Sequence, residues 1–219
     1  MKDSAIGVWW FRPSSNVTNF GDELGPEILT RLGYSVKRVI INEAELVTVG
    51  SILGLLPAKH NPNLTVWGSG FILPTDSLNA KPKILALRGS LSSKKLGVNP
   101  VLGDPGLLVS ELWPRSKSPK YRIGVIPHYV DKRGYSWADK IINPTNPVDV
   151  VIDEIQSCRT VASSSLHGLI IASSYGIPTM RLYCDKVIGN EFKWIDYMSG
   201  FNGRSLSDIQ TELVKALDL

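Results

Sequence analysis

Cysteine is scarce in this chain: there are two in 219 residues, Cys158 and Cys184. Neither belongs to a C-x-x-C pair and both fall in predicted core segments, so they read as buried thiols and not as a disulfide or a metal site. Histidine is almost as sparse. His60, His128 and His167 show no ligand spacing, and no metal is signalled. No apolar run approaches the roughly 20 residues that cross a bilayer, and Met1 to Val8 carries no long signal-peptide core, so the expectation is a cytoplasmic protein. A dense Lys/Arg run, a groove-reading motif and interleaved aromatics are all missing, which argues against nucleic acid as a partner. The formal charge of +4 is mild. It suits an anionic small molecule or peripheral work at the anionic inner face of a membrane. Repeats and low-complexity tracts are absent as well.

What is present is the composition of an ordinary globular chain, 43% hydrophobic and 20% charged, long enough for one large domain or two small ones. Its organising stretch is Val161-Ala-Ser-Ser-Ser-Leu-His-Gly-Leu-Ile-Ile-Ala-Ser-Ser-Tyr-Gly176. It reads as a strand end, a small polar turn and a helix apolar nearly all round, hence a buried βα unit. Ser165 is placed to cap that helix, so Leu166, His167 and Gly168 fill a first turn whose free N–H groups favour an anion. Gly168 offers no side chain to block a ligand. Two readings fit His167: a hydrogen-bonded core residue, or a site residue at the ligand edge of a parallel sheet.

In chain order, Ala5 to Phe11 is a β-rich apolar run that predicts a first strand, left by a loop over Arg12 to Asn16. Asn19 to Gly33 has apolar residues at 20, 24, 28 and 32, one helical face. Pro26 cannot donate to the carbonyl of Asp22, so a distorted turn is expected over Asn19 to Gly25 and a regular helix from about Pro26. Asn19, Gly21, Asp22 and Glu23 crowd the junction after strand one, either as helix caps or as ligand contacts. Strands are expected over Val36 to Ile41, Glu45 to Val49, Leu64 to Trp67 and Ile84 to Leu87. Gly68 and Gly70 form an incomplete G-x-G, safer as a turn that lets backbone approach closely. Arg88 ends a strand before a short helix capped by Ser90 and stopped by Gly97, and is either a solvated group or a fork for a carboxylate or phosphate.

Trp113 to Lys120 is proline-rich and charged and reads as a linker, dividing the chain into residues 1–115 and 120–219. Beyond it come a strand over Tyr121 to Pro127, a helix near Tyr135 to Ile141, and a helix after Asn146 with Pro147 at its first position. The organising stretch follows, then a strand over Thr179 to Tyr183. Helices around Phe192 to Met198 and Asp208 to Leu217 finish the chain, the last announced by a box Ser207-x-x-Gln210. The fold class is therefore α/β, with two Rossmann-like domains facing a cleft.

Seven pieces in order, Asn19-Phe-Gly-Asp-Glu-Leu24, Trp67-Gly-Ser-Gly70, Arg88-Gly-Ser-Leu-Ser92, Leu102-Gly-Asp-Pro105, Ile126-Pro-His-Tyr129, Ser164-Ser-Leu-His-Gly168 and Lys193-Trp-Ile-Asp196, resemble the polysaccharide pyruvyltransferase family. The resemblance implies a GT-B-like pair of domains. It also implies transfer of a pyruvyl group from phosphoenolpyruvate to glycan hydroxyls as a ketal, with release of phosphate in polysaccharide biosynthesis. No cofactor is implied, with phosphoenolpyruvate as donor substrate and a glycan or lipid-linked oligosaccharide as acceptor. Arg88 and His167 match the family's donor-binding and catalytic pair. Many members carry an arginine two residues before that histidine, where this chain has Ser165, so backbone N–H groups, Arg88, Lys193 or Arg181 must serve instead.

Ketal formation from an enol phosphate needs an acid and a base. The roles expected are His167 as acid and Asp22 or Glu23 as base. Arg88, Ser164, Ser165, Leu166, Gly168, His128 and Lys193 are expected on the donor, and Asn19, Gly21, Gly68 and Gly70 on the acceptor. A sugar-nucleotide-dependent glycosyltransferase and a non-catalytic glycan-binding or assembly protein are the alternatives. The former would usually place a spaced carboxylate pair in the C-terminal half, and Asp153, Glu154, Asp185 and Glu191 do not form one.

Overall fold

The computed structural model describes residues 4–13, 17–115 and 118–217. Residues 1–3, part of the predicted Arg12 to Asn16 loop and residues 116–117 of the predicted linker lie outside them. Strands β1 (Ile6–Val8), β2 (Val36–Arg38), β3 (Leu46–Val47), β4 (Thr65–Ser69), β5 (Lys83–Leu87) and β6 (Val101–Leu102) form one parallel sheet in the order β2-β1-β3-β4-β5-β6. Strands β7 (Tyr121–Ile126), β8 (Lys140–Ile141), β9 (Cys158–Ser163) and β10 (Thr179–Arg181) form a second, in the order β10-β9-β7-β8. Each sheet reverses its winding at its first strand. β1 lies between β2 and β3, and β7 between β8 and β9, which creates a crevice outside the C-terminal ends of both pairs.

Helices α1 (Phe20–Arg31), α2 (Ser90–Leu96), α3 (Val109–Leu112), α4 (Val148–Gln156), α5 (Leu166–Ser174), α6 (Asn190–Ser199) and α7 (Leu206–Ala216) cover the sheets. Helix α5 is the hub that its all-round apolarity predicts. Leu166, Leu169, Ile170, Ile171 and Ala172 are all buried, and α5 packs on α1, α3, α4, β9, β10 and the 3-10 turn Pro105–Leu108. One apolar cluster runs through α1, α4, α5 and α7 and joins the two sheets. The last two helices cross back to the first sheet: α6 packs on α2, and α7 on β5 and β6, where Trp67 donates its indole N–H to the carbonyl of Leu213 at 3.0 Å. Both cysteines are buried.

Several boundaries differ from the sequence reading, each for a local reason. Helix α1 begins at Phe20 and carries Pro26 inside it. The amides of Asp22 and Glu23 both reach the carbonyl of Asn19, at 2.9 and 3.1 Å, so the first turn closes without Pro26. Gly25, which has no Cβ, relieves the clash that a proline imposes on the residue before it. The expected helix at Tyr135 to Ile141 is a turn followed by β8, because the edge of β7 needs partners for its backbone and Lys140–Ile141 supplies them. Pro147 is the N-cap of α4, not its first residue. The box at α7 is Ser205 with Asp208, whose side chains and amides pair reciprocally, instead of Ser207 with Gln210.

Ser90 is not a cap either. It is the first residue of α2, behind Gly89, and its amide donates to Ser199 Oγ of α6 at 2.9 Å. Gly97 does stop α2, in the left-handed conformation. At Gly89 a Cβ would lie 1.6 Å from the carbonyl oxygen of Asp196, a backbone atom that cannot swing aside. Gly89→Ala should therefore lower stability by about 3 kcal/mol or more, beyond ordinary overpacking. Gly97→Ala, where nothing lies within 4 Å, should cost only about 1 kcal/mol for its positive φ. Urea unfolding of both variants checks the contrast.

Candidate active site

The crevice holds a cavity of about 370 Å³. Asn19, Asp22 and Ser51 line it from the side of the first sheet, His128, Tyr129, Ser165 and His167 from the second, and Lys193 of α6 from above. Phe11, Ile52, Leu55, Ile72 and Ile188 supply apolar wall, so charges inside are poorly solvated.

The three serines before α5 divide their work. Ser163 Oγ accepts from the amide of Ser165 at 2.9 Å and donates to the carbonyl of Ile126 at 2.7 Å, which folds the turn. Ser164 Oγ accepts from the amide of His128 at 2.9 Å and donates to Asp131 at 2.6 Å, tying β7 to β9. Asp131 also holds Arg133, and these bonds keep its carboxyl well below the usual range. Ser165 stands at the N-cap with its side chain making no cap bond, and it alone of the three lines the cavity. Gly168 is needed for packing, since a Cβ there would meet Ser163 Oγ at 2.5 Å.

His167 is buried in the first turn of α5. Burial, then the positive charges of Arg88 and Lys193 and the neighbouring His128, lower its pKa to about 3, so the ring is neutral in the empty cavity. Gly21 packs directly on it: a Cβ there would lie 2.4 Å from His167 Nδ1. His128 is likewise held neutral, lowered to about 4 by burial and Lys193.

Asp22 and Glu23 part company. Glu23 makes a two-pronged ion pair with Arg12, at 2.5 and 2.7 Å, and does not line the cavity. Asp22 does, and burial pushes it up to about 7 although Asn19 donates to it at 2.8 Å and Lys193 is near. Lys193 is pulled down to about 8 by burial and by Arg88. Acid and amine thus both titrate near neutrality.

Arg88 is almost completely buried, and its guanidinium is engaged by protein. It donates to Asp196 Oδ2 at 3.0 Å, to the carbonyl of Phe71 at 2.6 Å and to Ser51 Oγ at 2.5 Å. Of these partners only Ser51 lines the cavity, and Arg88 itself does not. Gly70 lies under it, where a Cβ would be 2.5 Å from the guanidinium carbon, and Gly68, at φ 84°, lies against Pro105. Neither glycine lines the cavity. Arg181, named as a stand-in cation, pairs with Glu191 at 2.7 Å.

Sequence reasoning passed over Ser51, Tyr129, Asp104 and Asp196. Asp104 and Asp196 stood within the quoted pieces Leu102-Gly-Asp-Pro105 and Lys193-Trp-Ile-Asp196, so order in the chain pointed to them without giving a role. Tyr129 likewise closed the quoted piece Ile126-Pro-His-Tyr129 without a role, and Ser51 carried no signal of type or spacing. Among the described residues, no group of three or more His, Cys, Asp or Glu could hold a metal ion, and no helix is long and apolar enough to cross a membrane.

A buried histidine at a helix N-terminus, facing a carboxylate and an amine across an apolar crevice between two parallel sheets, defines a site for acid–base work on an anion. The family model for polysaccharide pyruvyl transferase matches residues 19–186, and the chain belongs to that family. The succinoglycan biosynthesis protein ExoV of Rhizobium meliloti (strain 1021) is 32% identical over 198 residues, covering 82% of this chain and 60% of that protein. The uncharacterized protein L143 of Acanthamoeba polyphaga mimivirus is 31% identical over 168 residues, covering 68% of this chain and 58% of that one. The chain thus spans about three fifths of the length of these relatives. No solved structure matches it significantly.

The pH dependence of stability tests the cavity's electrostatics. Asp22 titrates near 7 when folded and near 3.8 when unfolded, so the stability of its protonated form is complete below pH 4 and is lost as pH rises through 7. Asp22→Asn should match wild type at pH 4 and exceed it by up to roughly 4 kcal/mol at pH 8, read from urea midpoints.

Proposed function

We propose that this chain transfers a pyruvyl group from phosphoenolpyruvate to hydroxyls of a glycan, forming a ketal and releasing phosphate. Family membership supports pyruvyl transfer, and the relative named for succinoglycan biosynthesis supports a glycan acceptor in exopolysaccharide synthesis. The observation that carries the reading is the cavity at the crevice of both sheets, where Lys193, His167 and Asp22 converge around apolar wall. We read the two sheets as a GT-B-like pair divided at the Trp113–Lys120 linker, with the donor toward α5 and the acceptor toward α1. The acceptor is a glycan or its lipid-linked form, presented at the cytoplasmic face of a membrane.

The donor's phosphate and carboxylate sit against Lys193, Ser165 and the free amides of the first turn of α5. Arg88 acts from behind Ser51, in place of the family arginine that Ser165 replaces. A bound polyanion reverses the forces that keep His167 neutral, so binding itself raises the charged fraction of the acid. His167 then delivers a proton to the methylene carbon of the enol phosphate, and positive character develops at the adjacent carbon. An acceptor hydroxyl attacks that carbon and yields its proton to Asp22, whose pKa of about 7 suits a base at neutral pH. Phosphate leaves, and a second hydroxyl closes the ketal with loss of its own proton.

The first experiment needs no acceptor. Phosphoenolpyruvate at 100 times its dissociation constant should stabilise the protein by about 2.7 kcal/mol, a shift visible in a melting curve, whereas UDP and GDP should give none. Lys193→Met should weaken phosphoenolpyruvate roughly 10- to 100-fold, the loss of one charge-assisted contact. A shift with UDP or GDP alone would overturn the reading in favour of a sugar-nucleotide enzyme. With an acceptor in hand, His167→Ala should cut phosphate release by about 100-fold or more while the fold persists. Undiminished release would remove His167 from the chemistry.

A further inference from the structure

Behind the cavity two sealed polar atoms face each other without partners. His167 Nε2 and Asp104 Oδ2 are both buried, neither makes a hydrogen bond, and they lie 4.0 Å apart. Buried polar groups are nearly always paired in native proteins, so two complementary orphans side by side need a common explanation. Asp104 is fully buried at the end of β6, and its other oxygen accepts from the amide of Gly106 at 2.8 Å. That bond and Pro105 fix the carboxylate against α5. The rest of the ring is bounded differently: Gly21 packs on it without a side chain, a Cβ there would lie 2.4 Å from Nδ1, and Nδ1, unlike Nε2, is not among the sealed atoms that lack a partner. One nitrogen is sealed in beside a carboxylate, and the other lies against a glycine on a residue that lines the cavity.

We propose that Asp104 is a positioning residue for His167, its Oδ2 accepting a hydrogen bond from Nε2–H so that Nδ1 is the nitrogen that exchanges a proton with the ligand. The gap of 4.0 Å exceeds hydrogen-bond distance, but the ring torsion of histidine is broad and a modest rotation closes it. The charged and titratable groups around the ring are Arg88 from the end of β5, Lys193 from α6 and His128 from the end of β7, all opposing a second proton on it. Asp104, pushed up to about 6 by burial, with Asp196 adding to the rise, is still mostly ionised at pH 7.5 and is the carboxylate placed to face that charge.

The consequence for turnover rests on the pyruvyl-transfer reading; the tautomer does not. In that reaction the Nδ1–H bond breaks as the new C–H bond forms, and its electron pair remains on Nδ1. The Nε2–H bond to Asp104 persists throughout, and no proton passes to the carboxylate.

The test is two-bond 1H–15N correlation on the whole chain labelled at histidine nitrogen, at pH 7.5, with the His167 signals assigned by their absence from His167→Asn. Wild type should show the Nε2–H tautomer. In Asp104→Asn the amide oxygen keeps the Gly106 bond and the amide nitrogen donates toward Nε2, so the tautomer should switch to Nδ1–H. The kcat for phosphate release should then fall about 100- to 10,000-fold, with KM for phosphoenolpyruvate within about threefold. An Nδ1–H tautomer in wild type, or an unchanged tautomer in folded Asp104→Asn, would overturn the proposal. Should the variant not fold, the wild-type spectrum decides alone. Failure of wild type to bind or turn over phosphoenolpyruvate would remove the proposed function and leave the tautomer result standing.

Discussion

The buried ion pair between Arg88 and Asp196 is the constraint on which the geometry of the cavity depends. Both groups are essentially without solvent, and a charge so placed is tolerated only when its partners are complete. They are complete here. Asp196 accepts from Arg88, from the amide of Ser92 at 2.8 Å and from Ser92 Oγ at 2.7 Å, while Arg88 spends its remaining donors on Phe71 and Ser51. Such a pair adds little net stability, but breaking it on one side strands a charge, so it enforces one docking of α6 on α2. Gly89 and Gly70 allow that docking, because backbone and guanidinium pass where a Cβ would stand. Lys193 lies one turn before Asp196 on the same helix and is thereby set over the crevice.

The cavity built this way is walled largely by apolar side chains, and four of the titratable groups that line it are pushed toward their neutral forms. Asp22 is raised, Lys193 and His128 are lowered, and His167 is lowered furthest. In every case burial is the largest cause. A site tuned by burial responds strongly to what enters it, since an anion supplies the field that the apolar walls withhold. The absence of an arginine at Ser165 fits this logic, because a fixed cation beside His167 would keep it neutral even with donor bound.

Much of this was legible in the chain. The apolar periodicity of α1, the all-round apolarity of α5 and the turn after β9 located the core and the candidate site, because these signals are local. The proline in α1, the caps of α4 and α7 and the edge strand β8 were misread. Only β8 was decided from outside its own segment, by the unpaired edge of β7; the others turned on neighbours a few residues away, such as the carbonyl of Asn19 for α1 and Ser205 for α7. Asp22 and Glu23 are neighbours of like chemistry, and only the approach of Arg12 separates them.

By itself the sequence determined an α/β chain with two parallel sheets, a buried βα unit at Ser163 to His167 and the residues that place it in its family. Those follow from side-chain periodicity and backbone chemistry within a few turns. Tertiary structure alone decided that Arg88 points into protein, that Asp22 and not Glu23 meets the cavity, and that Asp104 stands behind His167. These residues meet across long separations, 108 positions for Arg88 and Asp196, and a charge is fixed by whatever surrounds it in space, which no local pattern records.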